Sequence, residues 1–153
     1  MASITSKAKL IKDLRVAVDN GRAHSVCLDL PPELGTDMGP TDLELAVMSL
    51  SGCFTTIFLL TAKKMRVQLK DLEVELHAQK SQETGTIASA EFNIKVKSDV
   101  HEDRIQRIFE LARKNCPVGK LFEKAGVKIS HNLEHTKECR WKDDKHKGQN
   151  LVD

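Results

Sequence analysis

Residues 41–65, TDLELAVMSLSGCFTTIFLLTAKKM, decide the fold. Thirteen of the twenty residues from Leu43 to Ala62 are apolar, and Glu44 is the only charge among them. Ser, Thr and Gly interrupt the segment, so its longest unbroken run is Ile57 to Leu60. Thr41-Asp42-Leu43-Glu44 has the form of a capping box, which places a helix start there. Lys63 and Lys64 suit the negative end of that helix dipole. A helix apolar on most of its circumference is either a membrane span or the buried helix of a soluble core. Its neighbours are charged and amphipathic, which favours the buried helix running to about Met65.

On the N-terminal side, Leu14, Val16 and Val18 alternate with polar residues up to Asp19-Asn20-Gly21. Asn-Gly between alternating runs signals a hairpin. His24, Val26, Leu28 and Leu30 alternate beyond it, and Pro31-Pro32 end the strand. On the C-terminal side, Leu72 to Ala78 and Ala88 to Val96 alternate as two half-buried strands. Ile105, Ile108, Phe109 and Ala112 stand at helical spacing, and Asn115-Cys116-Pro117 breaks that helix. Pro117 fits the first position of a short helix ended by Gly126. Val127 to Leu133 reads as a last strand. Hairpins with helices between them make an α+β protein. A single domain over residues 1–135 and a polar tail over 136–153 are expected. The first hairpin is marginal alone and needs a sheet to join, which a second subunit could provide.

Composition narrows the function. The chain has 153 residues, 40% hydrophobic and 30% charged, which is one soluble domain's worth. Lys and Arg number 24 against 22 Asp and Glu, too balanced to hold polyanions by charge. With five Phe, one Trp and no Tyr there is no base-stacking platform, and no GxxG loop is present. Lys63, Lys64, Arg66 and Lys70 are the solvated end of the long helix. Neither nucleic acid nor a membrane is an expected partner. The N-terminus has no apolar signal core. A cytoplasmic location follows as the expectation, where thiols stay reduced unless they cycle.

The four Cys are Cys27, Cys53, Cys116 and Cys139, with no CxxC pair, so no structural zinc site is expected. Cys116 precedes Pro at a helix start, where unpaired N–H groups and the dipole favour a thiolate. A buried, inert thiol is the alternative. Cys53 lies about three turns into the long helix. Ser49 and Thr56 share its face and could donate to a thiolate; packing in the core beside Phe54 and Ile57 is the alternative. Ser51-Gly52 is a point where the helix could bend. Cys27 shares a strand face with Ala23, Ser25 and Asp29 and reads as structural. Cys139 with His131, His135 and His146 reads as opportunistic metal binding in a loose tail. No metal and no cofactor is expected.

Two motifs carry a family resemblance. DLPPELGTDMGPTDLELAVMSLSGCF leads an acidic, Pro-Gly loop into the helix bearing Cys53, and ARKNCPVGKLFEKAG holds the Cys-Pro junction. In this order and at this spacing the chain resembles the OsmC/Ohr family of thiol-dependent, peroxide-detoxifying proteins, over roughly residues 8–133. The resemblance implies an α+β fold with antiparallel sheets around the long helix, in an intertwined homodimer. It implies that Cys53 attacks an organic hydroperoxide or hydrogen peroxide and becomes a sulfenic acid. Cys116 would resolve it as a disulfide, and a dithiol reductant, lipoyl-based in some relatives, would restore both thiols.

The family adds an Arg and a Glu. Arg22, just after the Asn-Gly turn, matches the Arg, with Arg15 second. Glu44 is the nearest match for the Glu. In the Ohr branch the Glu stands ten residues before the Cys; that position here is Leu43. Nine residues is two and a half turns, so Glu44 falls opposite Cys53 and reads first as the capping-box Glu. The candidate catalytic set is Cys53, Cys116, Arg22 and Glu44. The rival reading is a non-catalytic dimeric protein of the same fold that binds a small apolar or thiol ligand.

Overall fold

The computed structural model describes residues 3–137. Its elements run β1 (Lys7–Lys12), β2 (Arg15–Asp19), β3 (Ser25–Leu28), α1 (Asp42–Lys64), β4 (Leu69–Lys80), β5 (Ile87–Ser98), α2 (Glu102–Asn115), α3 (Pro117–Lys124) and β6 (Lys128–Lys137). They form two three-stranded sheets, β1-β2-β3 and β4-β5-β6. The α+β class is as the sequence predicts. The expectation of antiparallel sheets needs one correction: β5 and β6 pair in parallel, with Phe92 opposite His131. Parallel neighbours need a long crossover, and α2 with α3 is that crossover.

The first sheet contains the expected hairpin, with Val16 opposite Leu28 and Val18 opposite Val26. Its loop is wider than a two-residue turn: Asn20 N–H donates to His24 O, and Gly21 and Ala23 take positive φ of 70° and 63°. Strand β1 adds a third member the sequence reading missed. Its residues KAKLIK place Leu10 and Ile11 side by side, so no clean alternation announces it, and all six are exposed. Asp13, at φ 53°, turns the chain from β1 into β2, a conformation Asp tolerates better than most residues.

Thr41 caps α1 as the sequence predicts: its hydroxyl accepts from Glu44 N–H at 3.3 Å, and Glu44 Oε2 accepts from Thr41 N–H at 2.7 Å. The helix passes through Ser51-Gly52 without a break. Leu50, Phe54, Phe58 and Ala62 recur every four residues and form its buried stripe. This stripe packs with Phe92, Ile94 and Val96 of β5 and with Ile105, Ile108 and Phe109 of α2. Phe54 is the hub, with ring centroids 4.9 Å from Phe92, 6.1 Å from Phe58 and 6.3 Å from Phe109. By length and composition α1 could cross a membrane. Its buried stripe is a central part of the core.

Burial around most of α1 was the expectation; one chain buries a single stripe. Leu43, Met48, Leu59 and Leu60 remain 36% to 55% exposed, because the sheet covers only one side of the helix. The last strand continues past Leu133 to Lys137. Cys139, His146 and the rest of the expected tail lie outside the described residues.

Candidate active site

Cys53 stands one residue before Phe54, at the edge of the buried stripe, and is half-buried. Cys116 is the hinge between α2 and α3. Asn115 ends one helix, Pro117 opens the next, and Cys116 itself is extended at φ −70°, ψ 108°. Proline's fixed φ and missing N–H suit the first helical position, so the chain turns here. The turn drives the Cys116 side chain into the core, where it is 2% exposed.

The two sulfurs lie 3.3 Å apart, with the Cys116 thiol donating to Cys53 Sγ. Gly119 N–H in turn donates to Cys116 Sγ at 3.3 Å, so the sulfur caps α3. Burial nevertheless pushes the Cys116 thiol up to about 11. The Gly119 and Val118 amides oppose that shift, and neighbouring Cys53 adds to it. The expectation that the helix start favours a thiolate at Cys116 is therefore corrected. Desolvation of the charged form outweighs two amide dipoles. Cys116 is a protonated donor beside the more accessible Cys53.

The other expected partners are arranged differently. Ser49 and Thr56 are exposed, and among the described residues neither hydroxyl bonds to Cys53. Glu44 sits in its capping box two and a half turns away. Its carboxylate is held below the usual range by the Thr41 N–H and hydroxyl. Arg22 is exposed on its loop, where its backbone N–H donates to Asn20 Oδ1. Arg15 reaches inward instead: Nη2 donates to Thr36 Oγ1 at 2.6 Å, and Nε lies 3.5 Å from Asp29 Oδ2.

Asp29 is the functional-looking residue that sequence reasoning passed over. It is 3% exposed and accepts from Leu30 N–H, Thr36 N–H, Thr36 Oγ1 and Met38 N–H. The Thr36 hydroxyl and these amides hold its carboxyl down at about 2, against the opposing effect of burial. Asp29 thereby folds the 30–40 loop over the end of β3. A side chain at Gly39 would collide with the backbone carbonyl of Cys27. The available signal was one acid ahead of a loop rich in Pro, Gly and Thr.

Cys27 is half-buried and, like Cys53 and Cys116, a free thiol. Of the residues read with Cys139 as opportunistic metal ligands, His131 and His135 belong to β6. His131 stacks on Phe92 with centroids 4.9 Å apart and planes within 4°. Burial, then the charge of Arg113, lowers its pKa to about 4. His135 shares a hydrogen bond of 2.8 Å with Ser98. Among the described residues no three potential ligands gather for a metal. Beside the first turns of α1 an open, mostly apolar groove of about 820 Å³ runs past Leu30, Pro40, Val47, Met48 and Ile87.

In this α+β protein a half-buried thiol on the long helix faces a buried thiol at a Cys-Pro turn. The OsmC-like protein family model matches residues 35–132, and the chain belongs to that family. No curated protein matches it in sequence. Solved structures share its fold. An OsmC-like protein from Mycoplasma pneumoniae superposes with TM-score 0.78 at 17% identity, covering 88% of this chain and 97% of that one. A putative osmotic stress induced and detoxification response protein from Psychrobacter arcticus gives 0.75 at 19%, covering 88% and 98%. An organic hydroperoxide resistance protein, OsmC, from Legionella pneumophila gives 0.65 at 16%, covering 87% and 97%. At these identities the likeness establishes the fold.

Proposed function

We propose that the protein is a thiol-dependent peroxidase that reduces organic hydroperoxides or hydrogen peroxide. The observation that carries this reading is the 3.3 Å contact between Cys53 and Cys116. Cys53 thiolate attacks the outer peroxide oxygen, the O–O bond breaks, and alkoxide leaves to take a proton as alcohol. Cys53 is then a sulfenic acid. Cys116 attacks that sulfur, its proton leaves with hydroxide as water, and a disulfide closes. A dithiol, lipoyl-based in this reading, returns two electrons. The sulfurs carry the whole redox change, so the scheme invokes no cofactor or metal.

The reading extends to a cytoplasmic homodimer with a single 1–135 domain. The exposed β1 strand and the apolar outer side of α1 support the dimer. Arg22, projecting from its loop, is proposed as the cation that a second chain brings to Cys53. Glu44 contributes by fixing the start of the helix that carries Cys53. The Legionella relative's name as an organic hydroperoxide resistance protein agrees with this activity.

The second reading is a non-catalytic protein that binds a small apolar or thiol ligand. The apolar groove beside α1 favours it, since neither Cys53 nor Cys116 lines that groove. Free thiols counted before and after one equivalent of peroxide separate the two. Loss of two thiols, with a Cys53–Cys116 disulfide found by peptide mapping, is the peroxidase outcome. An unchanged count selects the binding protein.

A further inference from the structure

Asn20 and Gly21 stand in the loop between β2 and β3. The chain has five Asn, and Asn20 is the one that Gly follows. A backbone nitrogen can attack the side-chain carbonyl of the Asn before it and close a five-membered imide. Gly offers that nitrogen with the least crowding, because it has no Cβ. Gly21 is exposed, with open space where a Cβ would stand. Asn20 N–H donates to His24 O at 3.2 Å and gives the loop a defined shape.

Each atom that such a closure uses has a partner suited to its step. Gly21 N–H, the nucleophile, donates to Asp19 Oδ1 at 2.8 Å, so a carboxylate is in place to take its proton. Asn20 Oδ1, which becomes the oxyanion, accepts from Arg22 N–H at 2.9 Å. Asn20 Nδ2, the leaving nitrogen, lies 3.2 Å from His24 Nδ1. The first two contacts are ordinary turn devices. With His24 on the leaving nitrogen, they also make up a base, an oxyanion donor and an acid around one amide.

We propose that the 19–24 loop is a self-modification site, in which Asn20 closes on Gly21 and converts to aspartate and isoaspartate. Gly21 N bonds to Asn20 Cγ while its proton passes to Asp19. The tetrahedral carbon then collapses and the Cγ–Nδ2 bond breaks. His24, in its protonated form, supplies the proton with which ammonia leaves. Water opens the imide at either carbonyl, giving aspartate or an isoaspartate whose main chain is one carbon longer. One water is consumed and one ammonia released, with no redox change. Both products place a new negative charge two residues before Arg22. The inference uses neither sulfur and stands apart from the peroxidase reading.

The test incubates the whole chain in warm, neutral buffer, folded and in guanidinium. The tryptic peptide 16–22 is followed over days by mass, for exchange of amide for acid, and by isoaspartate content. An Asn-Gly pair with no help from its surroundings reacts more slowly in a fold, which restrains its approach to the attack geometry. Here the folded chain is expected to convert about tenfold faster than the unfolded one. Asp19→Ala and His24→Ala, each verified as folded by circular dichroism, should lose that acceleration. A folded rate equal to or below the unfolded one, or a wild-type rate in either variant, overturns the proposal.

Discussion

Arg15 Nε sits 3.5 Å from the Oδ2 of Asp29, a carboxylate whose side chain is 2% exposed, and so ties β2 to the loop that delivers α1. Asp29→Asn keeps the shape and removes the charge that four donors and Arg15 converge on. The variant should melt several degrees below wild type, with faster amide exchange at Thr36 and Met38. The folded-state pKa, about 2, lies below the ordinary 3.8. The charge's contribution is therefore full above about pH 4 and lost as pH falls through 2. Acid titration by circular dichroism should show that loss in wild type and its absence in Asp29→Asn.

The two thiols should divide the reaction. Cys53→Ser is expected to abolish peroxide turnover. Cys116→Ser should react once and then accumulate sulfenic and sulfinic acid on Cys53. Dimedone labelling and intact mass after a peroxide titration check both. Sulfenic acid on Cys116 in Cys53→Ser, formed at the wild-type rate, reverses the roles.

Arg22 and Arg15 should behave differently. Arg22→Ala is expected to slow peroxide consumption about tenfold or more while leaving the fold intact, since its side chain is exposed. Arg15→Ala should instead lower the melting point, through the loss of its bonds to Thr36 and Asp29. Stopped-flow peroxide assays beside thermal melts separate these outcomes. Light scattering on the same samples should give the mass of two chains; a folded monomer at micromolar concentration would remove the route by which Arg22 reaches Cys53.

His131 should make the protein acid-sensitive well before Asp29 does. Its folded-state pKa is about 4, against an ordinary 6.5. Below pH 6.5 the unfolded chain takes up a proton that the folded chain refuses until about pH 4. Stability is thus full above 6.5, declines between 6.5 and 4, and levels off below. Urea midpoints at pH 7 and pH 5 should differ in wild type and converge in His131→Phe.

Phe54→Ala should cost about 3–5 kcal/mol, as for a large ring removed from a packed core. Phe54 is 1% exposed and meets Phe58, Phe92, Phe109 and His131. Because Cys53 is its chain neighbour, the same change should disturb the sulfur pair. Denaturant unfolding and the rate of disulfide closure read the two effects.

The parts legible in the sequence were those written in local spacing. Thr41 and Glu44 announced the start of α1, Pro117 announced the turn at Cys116, and Ile105 to Ala112 announced the α2 stripe. β1 was hidden because Leu10 and Ile11 break its alternation. The parallel partner of β5 was hidden because strand direction depends on a crossover, which no local pattern encodes. At the site, the helix-end position of Cys116 left open whether its thiol is favoured as an anion or buried and protonated. Its burial depends on Leu50, Phe92 and His131 arriving from three other elements. Asp29 was overlooked for the same reason: its donors come from the loop that it organises.

The separation of 63 positions between the two cysteines carries a consequence for damaged chains. In the native fold they touch. In an unfolded chain that tether gives an effective concentration on the order of millimolar or below. A sulfenic acid formed there would wait for its partner and meet more peroxide first. The proposed repair of Cys53 thus works only in a folded molecule, and misfolded copies would gather irreversible oxidation. The oxidation state of Cys53 would then serve as a molecular record of whether the chain was folded when peroxide reached it.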